Sequence, residues 1–133
     1  MKSGKAQYIR YRVGRARETL NDARLLIADG SLHGAVNRLY YACFYAVSAL
    51  LLTQELSSSR HVGVRSLFVK HWVNTGVFPK DMGRFYHHLF ERRQISDYKD
   101  LVVFTREDVD AWLRQADDFV SRISEEIEKV RCS

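Results

Sequence analysis

Between Ala35 and Leu51 apolar side chains recur on almost every face of a helix: Ala35, Val36, Leu39, Ala42, Cys43, Ala46, Val47, Leu50 and Leu51. A helix at a protein surface carries one apolar stripe, whereas a helix that is apolar nearly all round must be covered by other elements. The segment from about Ser31 to Gln54 is therefore read as a central, buried helix. Its longest apolar run, around residues 39–52, is interrupted by Ser48 and contains three tyrosines, Tyr40, Tyr41 and Tyr45. That run reads as too short and too polar for a membrane span.

The rest of the chain supplies the covering helices. Residues 8–28 place Ile9, Val13, Ala16, Leu20, Ala23 and Ile27 at steps of four and three, a single helical stripe. Asp29-Gly30 stops it. A third helix, about 59–74, carries Val62, Val64, Leu67, Phe68 and Trp72 and ends at Asn74-Thr75-Gly76. Pro79 suits the first turn of a fourth helix, with Met82, Phe85, Leu89 and Phe90. Thr105, with Asp108 three residues on, caps a last helix over 106–130. Its inner face is Val109, Trp112, Ala116, Phe119, Ile123, Ile127 and Val130. Val102-Val103 is too short for a strand. With 133 residues, 46% of them apolar, and a single proline, the chain is expected to form one domain over 1–133. The fold class is all-α: an antiparallel up-and-down bundle of about five helices.

Charge is unevenly spread. The net +5 suggests an anionic partner. Residues 1–17 hold Lys2, Lys5, Arg10, Arg12, Arg15 and Arg17 and no acid, whereas residues 107–128 hold eight acids. These ends could attract each other within one subunit or between two. Two cysteines, Cys43 and Cys132, make no disulfide framework and fit a reducing cytosol. The basic N-terminus lacks the apolar run of a signal peptide. Neither His-x3-His nor Cys-x2-Cys spacing occurs, so no metal site and no cofactor are expected.

Three places carry candidate chemistry. On the central helix Asn37, Tyr41, Tyr45 and Ser48 share a face that Arg38 flanks. Buried without partners, such groups cost about 1–3 kcal/mol each. They form either an internal hydrogen-bond network or the wall of a polar cleft. Arg60-His61 opens the third helix, where an imidazole and unused backbone N–H groups can meet a phosphate, or simply face water. Glu91-Arg92-Arg93-Gln94-Ile95-Ser96-Asp97-Tyr98 is placed after the fourth helical pattern. Arg92 and Arg93 suit the negative end of a helix, with Asp97 pairing one of them. Equally, they suit bidentate contacts to phosphate, with Tyr98 donating a hydrogen bond or stacking on a base.

These pieces, in this order, resemble the HEPN domain (higher eukaryotes and prokaryotes nucleotide-binding) in its small stand-alone prokaryotic form. The matching segments are Arg38-Leu39-Tyr40-Tyr41-Ala42-Cys43-Phe44-Tyr45-Ala46, His61-Val62-Gly63-Val64, Arg93-Gln94-Ile95-Ser96-Asp97-Tyr98 and Phe104-Thr105, and the likeness covers roughly residues 8–128. The resemblance implies a dimeric helical bundle, often paired with a minimal nucleotidyltransferase in a toxin–antitoxin module. Active members are metal-independent endoribonucleases with an Arg-x4–6-His motif. There the RNA 2′-hydroxyl attacks the neighbouring phosphodiester, histidine moves protons and arginine neutralises the developing charge. Here Arg93 matches the arginine, and Tyr98 stands where histidine is expected. A phenol of pKa about 10 is a poor base at neutral pH, unlike an imidazole near about 6.5.

The reading is therefore a HEPN homodimer that binds RNA or a nucleotide through Arg92, Arg93, Asp97, Tyr98, Arg38, Tyr41 and His61. A nucleotidyltransferase-type antitoxin is its expected partner. The alternatives are an endoribonuclease with Arg93 and Tyr98 at its centre, and a non-catalytic structural dimer.

Overall fold

The computed structural model describes residues 3–98 and 102–132; the side chains of Ser3, Asp97, Tyr98, Arg131 and Cys132 lie outside that description. Within it the chain forms five α-helices and no strand: α1 (Ser3–Asp29), α2 (Leu32–Leu52), α3 (His61–Phe68), α4 (Lys80–Tyr98) and α5 (Arg106–Cys132). A π-helical turn, Val69–Val73, continues α3.

The first helix ends where Gly30 takes φ +83°, a left-handed conformation that costs glycine nothing. Its N–H bonds Ile27 O (3.0 Å) and that of Ser31 bonds Leu26 O (2.8 Å), the paired bonds of a Schellman turn. So short a link folds α2 back along α1 as an antiparallel hairpin. As read from its all-round apolarity, α2 is central: it packs against α1, α3, α4 and α5. Eleven of its residues are buried, from Ala35 to Leu51, Tyr40 among them. Contrary to the sequence reading, this helix is long and apolar enough, by length and composition, to cross a membrane. Its apolarity is accounted for by burial among the other four helices.

The same end of the bundle is tied to the start of α5 by polar groups. Thr105 Oγ accepts the Asp108 N–H at 3.1 Å, the expected cap of α5. Arg106 donates to Ile27 O at 2.6 Å, satisfying a carbonyl at the end of α1. The first and last helices are joined by an ion pair, Arg24–Asp117 at 3.4 Å.

Two boundaries differ from expectation. The third helix is not uniform to Asn74. The Asn74 N–H reaches back five residues to Val69 O, the widened turn of a π-helix. That turn seats Trp72 and Val73 in the core. More consequentially, α4 does not end before Glu91 but continues through Tyr98. Residues 91–98 are its last two turns, so Arg92 and Arg93 point about 100° apart.

Candidate functional site

The end of α4, the N-terminal half of α2 and the start of α3 converge on an aromatic cluster. Tyr40 is at its centre and is wholly buried. Its ring stacks on Tyr86 (centroids 5.9 Å apart, 7° from parallel) and lies edge-on to Tyr41. The Arg93 guanidinium sits over both tyrosines, 5.0 Å from the Tyr40 centroid and 5.7 Å from that of Tyr41, and donates to the Tyr41 hydroxyl at 3.1 Å. Arg38 approaches Tyr41 as well, 5.1 Å from its centroid. Two guanidiniums thus meet at one ring. Arg38 donates twice to the neutral Asn37 amide oxygen, and among the described residues no carboxylate pairs with it. Guanidinium groups gathered at one place are the donors best suited to receive an anion.

His61 completes the cluster. Arg60 is the extended residue before α3, so His61 enters in its first turn. The imidazole stacks on Phe44, 4.4 Å between centroids and 11° from parallel, and its Nδ1 lies 2.6 Å from the Tyr40 hydroxyl. Burial, and then the nearby Arg93 charge, hold His61 below its usual pKa of 6.5. Burial pushes the Tyr40 phenol up to about 12, so near neutral pH it keeps its proton. The neutral tautomer that gives that proton an acceptor has Tyr40 O–H donating to Nδ1 and the ring hydrogen on Nε2. In that tautomer Nε2 carries an N–H donor rather than a basic lone pair.

Arg38, Tyr41, His61 and Arg93, four of the residues singled out from sequence, are therefore brought together. Arg92 lies apart; its charge is felt at His88, whose pKa is lowered first by burial and then by Arg92. Asp97 and Tyr98 belong to the last turn of α4, with their side chains outside the described structure. Tyr45 and Ser48 are half-buried further along the same face of α2. Tyr40, Phe44 and Tyr86 are site residues that sequence reasoning misses. Tyr40 and Phe44 enter the sequence reading only within the apolar run and the 38–46 segment of the central helix, and Tyr86 not at all, because their roles depend on contacts over long separations.

A second basic cluster flanks the first. Arg65 lies over the Phe90 ring (5.2 Å) and bonds Nδ1 of His87, whose Nε2 is 3.5 Å from Glu91. His88 instead meets the Trp112 ring, so the two adjacent histidines diverge. Among the described residues no group of three His, Cys, Asp or Glu is placed to hold a metal ion.

This five-helix architecture, with an arginine from the end of the fourth helix on the aromatic face of the second, has relatives. The HEPN domain family model matches residues 9–128, and the chain belongs to that family. It is 47% identical over 127 residues to a UPF0332 protein of Thermotoga maritima, an alignment covering 96% of each chain. It is 32% identical over 115 residues to a protein of Methanocaldococcus jannaschii named "Putative toxin MJ0605", covering 86% of this chain and 85% of that one. A UPF0332 protein of Pyrococcus horikoshii, PH1297, is 35% identical over 71 residues, 53% of this chain and 50% of that one.

Proposed function

We propose that this protein is a toxin-like HEPN protein that binds the phosphate of RNA, or of a nucleotide, at the Arg38–Tyr41–His61–Arg93 cluster. One observation carries the reading: two guanidiniums converge on Tyr41 beside the His61 imidazole, whose Nδ1 lies 2.6 Å from the Tyr40 hydroxyl. A phosphate is the ligand that all three groups can serve at once. The toxin-like setting draws on HEPN membership and on the name of the Methanocaldococcus jannaschii relative. A homodimer, a nucleotidyltransferase-type partner and a cytosolic location extend that reading on the family resemblance.

Binding is favoured over cleavage. Proton abstraction from a 2′-hydroxyl needs a free nitrogen lone pair, and with the Tyr40 O–H donating to Nδ1 the neutral His61 ring has its hydrogen on Nε2.

The test is titration of fluorescein-labelled single-stranded RNA and of ATP at two salt concentrations. Binding that weakens steeply with salt and is lost in Arg93→Ala supports the proposal. Binding unchanged by Arg93→Ala together with Arg38→Ala removes it. Expression of the chain alone in a bacterial host, followed by inspection of total RNA, separates a ribonuclease from a binder.

A further inference from the structure

The aromatic and basic contacts do not stop at Tyr41. Its ring lies 6.0 Å, centroid to centroid, from Tyr45, one turn further along α2. Over Tyr45 sit two guanidiniums of α1, Arg12 at 5.7 Å and Arg15 at 5.5 Å. Arg12 in turn lies 5.2 Å over the Tyr8 ring and donates to the Tyr8 hydroxyl at 3.1 and 2.8 Å. Tyr8 is 45% exposed and Tyr11, stacked beside it, 61%. Positions 8, 11, 12 and 15 recur at helical spacing, so α1 shows one such face beside its apolar stripe. A cavity of about 140 Å3 opens under this face, lined by Tyr8, Arg12, Phe44, Ser48, Ser58 and Val64. Phe44 is also the ring on which His61 stacks.

We propose that Tyr8, Arg12, Arg15 and Tyr45 form a second nucleotide subsite, so that one unpaired RNA strand runs from the Arg93 cluster across α2 onto α1. This rests on the phosphate-binding reading of the Arg93 cluster and extends it to a polymer of defined form. Exposed aromatic faces take unstacked bases, and guanidinium planes accept both a base face and a phosphate. In a duplex the base faces are covered by neighbouring pairs, so the rings of Tyr8 and Tyr11 would have nothing to stack on. The charge agrees. Arg12 contacts the Tyr8 hydroxyl and two rings, and among the described residues no carboxylate pairs with it. Arg15 shares its charge with Glu18 at 3.0 Å, which leaves Arg12 as the main anion-facing cation of this face.

The probes are fluorescein-labelled oligouridylates of two and eight nucleotides and a labelled RNA duplex, each titrated against the full chain, Tyr8→Ala/Arg12→Ala and Arg93→Ala. The parent is expected to bind the octamer more tightly than the dimer and to prefer both over duplex. Tyr8→Ala/Arg12→Ala should lose the octamer's advantage, on the order of tenfold, and keep dinucleotide binding; Arg93→Ala should lose both. Photocrosslinking of 5-bromouridine octamers to the peptide holding Tyr8 and Tyr11 in the unaltered chain checks the same subsite without a variant. Octamer binding that Tyr8→Ala/Arg12→Ala leaves intact, with no crosslink to that peptide, overturns the second subsite while the Arg93 site stands. So does conversion of a dimer to a monomer by that variant at unchanged RNA affinity, which would make this face a contact between two copies. No RNA binding by the parent at low salt overturns both readings.

Discussion

The Tyr40 hydroxyl lies 2.6 Å from Nδ1 of His61, although 21 residues separate them in the chain. The pair joins the buried middle of α2 to the first turn of α3. It also bears on which ring nitrogen of His61 carries the hydrogen in the neutral form. Tyr40→Phe keeps the ring under Arg93 and deletes this bond. Its expected cost is about 0.5–1.5 kcal/mol of stability. Nitrogen-resolved NMR of the histidines should show His61 as the Nε2–H tautomer in the parent and a mixture in the variant. The same tautomer in both would show that Tyr40 does not direct it.

Acidification should weaken the fold and strengthen RNA binding. Burial first, then Arg93 for His61 and Arg92 for His88, hold both imidazoles below 6.5. Between the lowered folded value and 6.5 the unfolded chain binds more protons, so stability falls as pH drops through that window and is fully present above it. A bound phosphate favours the imidazolium of His61, so RNA affinity should move the opposite way. Melting curves and RNA titrations at pH 7.5 and 5.5 check both directions. A His61→Asn, His88→Asn variant should flatten the melting response.

Arg93→Lys should not restore what Arg93→Ala loses. Lysine keeps the charge but not the planar fork that lies over Tyr40 and Tyr41 while donating to the Tyr41 hydroxyl. We expect RNA affinity at least about tenfold below the parent. Arg92→Lys, about 100° round α4 and beside His88, should remain near parental. Equal effects of the two substitutions would show that only net charge matters.

Two glycines should respond in opposite senses to alanine. Gly30, at φ +83°, ends α1, and Gly30→Ala should cost about 1–2 kcal/mol. Gly14 lies within α1 facing open space, with nothing standing within 4 Å of an added Cβ. Gly14→Ala should stabilise by about 0.5–1 kcal/mol. Denaturant midpoints of the two variants provide the check.

The helices were legible because each buries one stripe whose period is written in residue order. Ile9, Ala16, Leu20, Ala23 and Ile27 of α1 are all buried, as their spacing implied. The end of α4 was not legible for the same reason. After Phe90 the helix offers Glu91, Arg92, Arg93 and Gln94, with only Ile95 apolar, and its inner side is held by polar contacts such as Ser96 Oγ to His33 O at 3.4 Å. Periodicity cannot register a helix face that packs through arginine and serine. The π turn is equally silent, because one extra residue in one turn leaves no repeat to detect. Arg38, Tyr41, His61 and Arg93 stand out as polar groups in apolar or terminal settings. Tyr40 does not, since a tyrosine in a run of core residues looks like core until its partner from another helix is seen.

Because α2 touches all four other helices, none of them can swing away without baring part of it to water. Local opening is therefore costly everywhere, and the bundle should lose its structure in a single cooperative step. In hydrogen exchange the amides of α2 should be the slowest of the chain and report the global unfolding free energy. Tyr40 and Tyr41 ride on that slowest segment, so a ligand arriving at Arg93 meets rings already held in place.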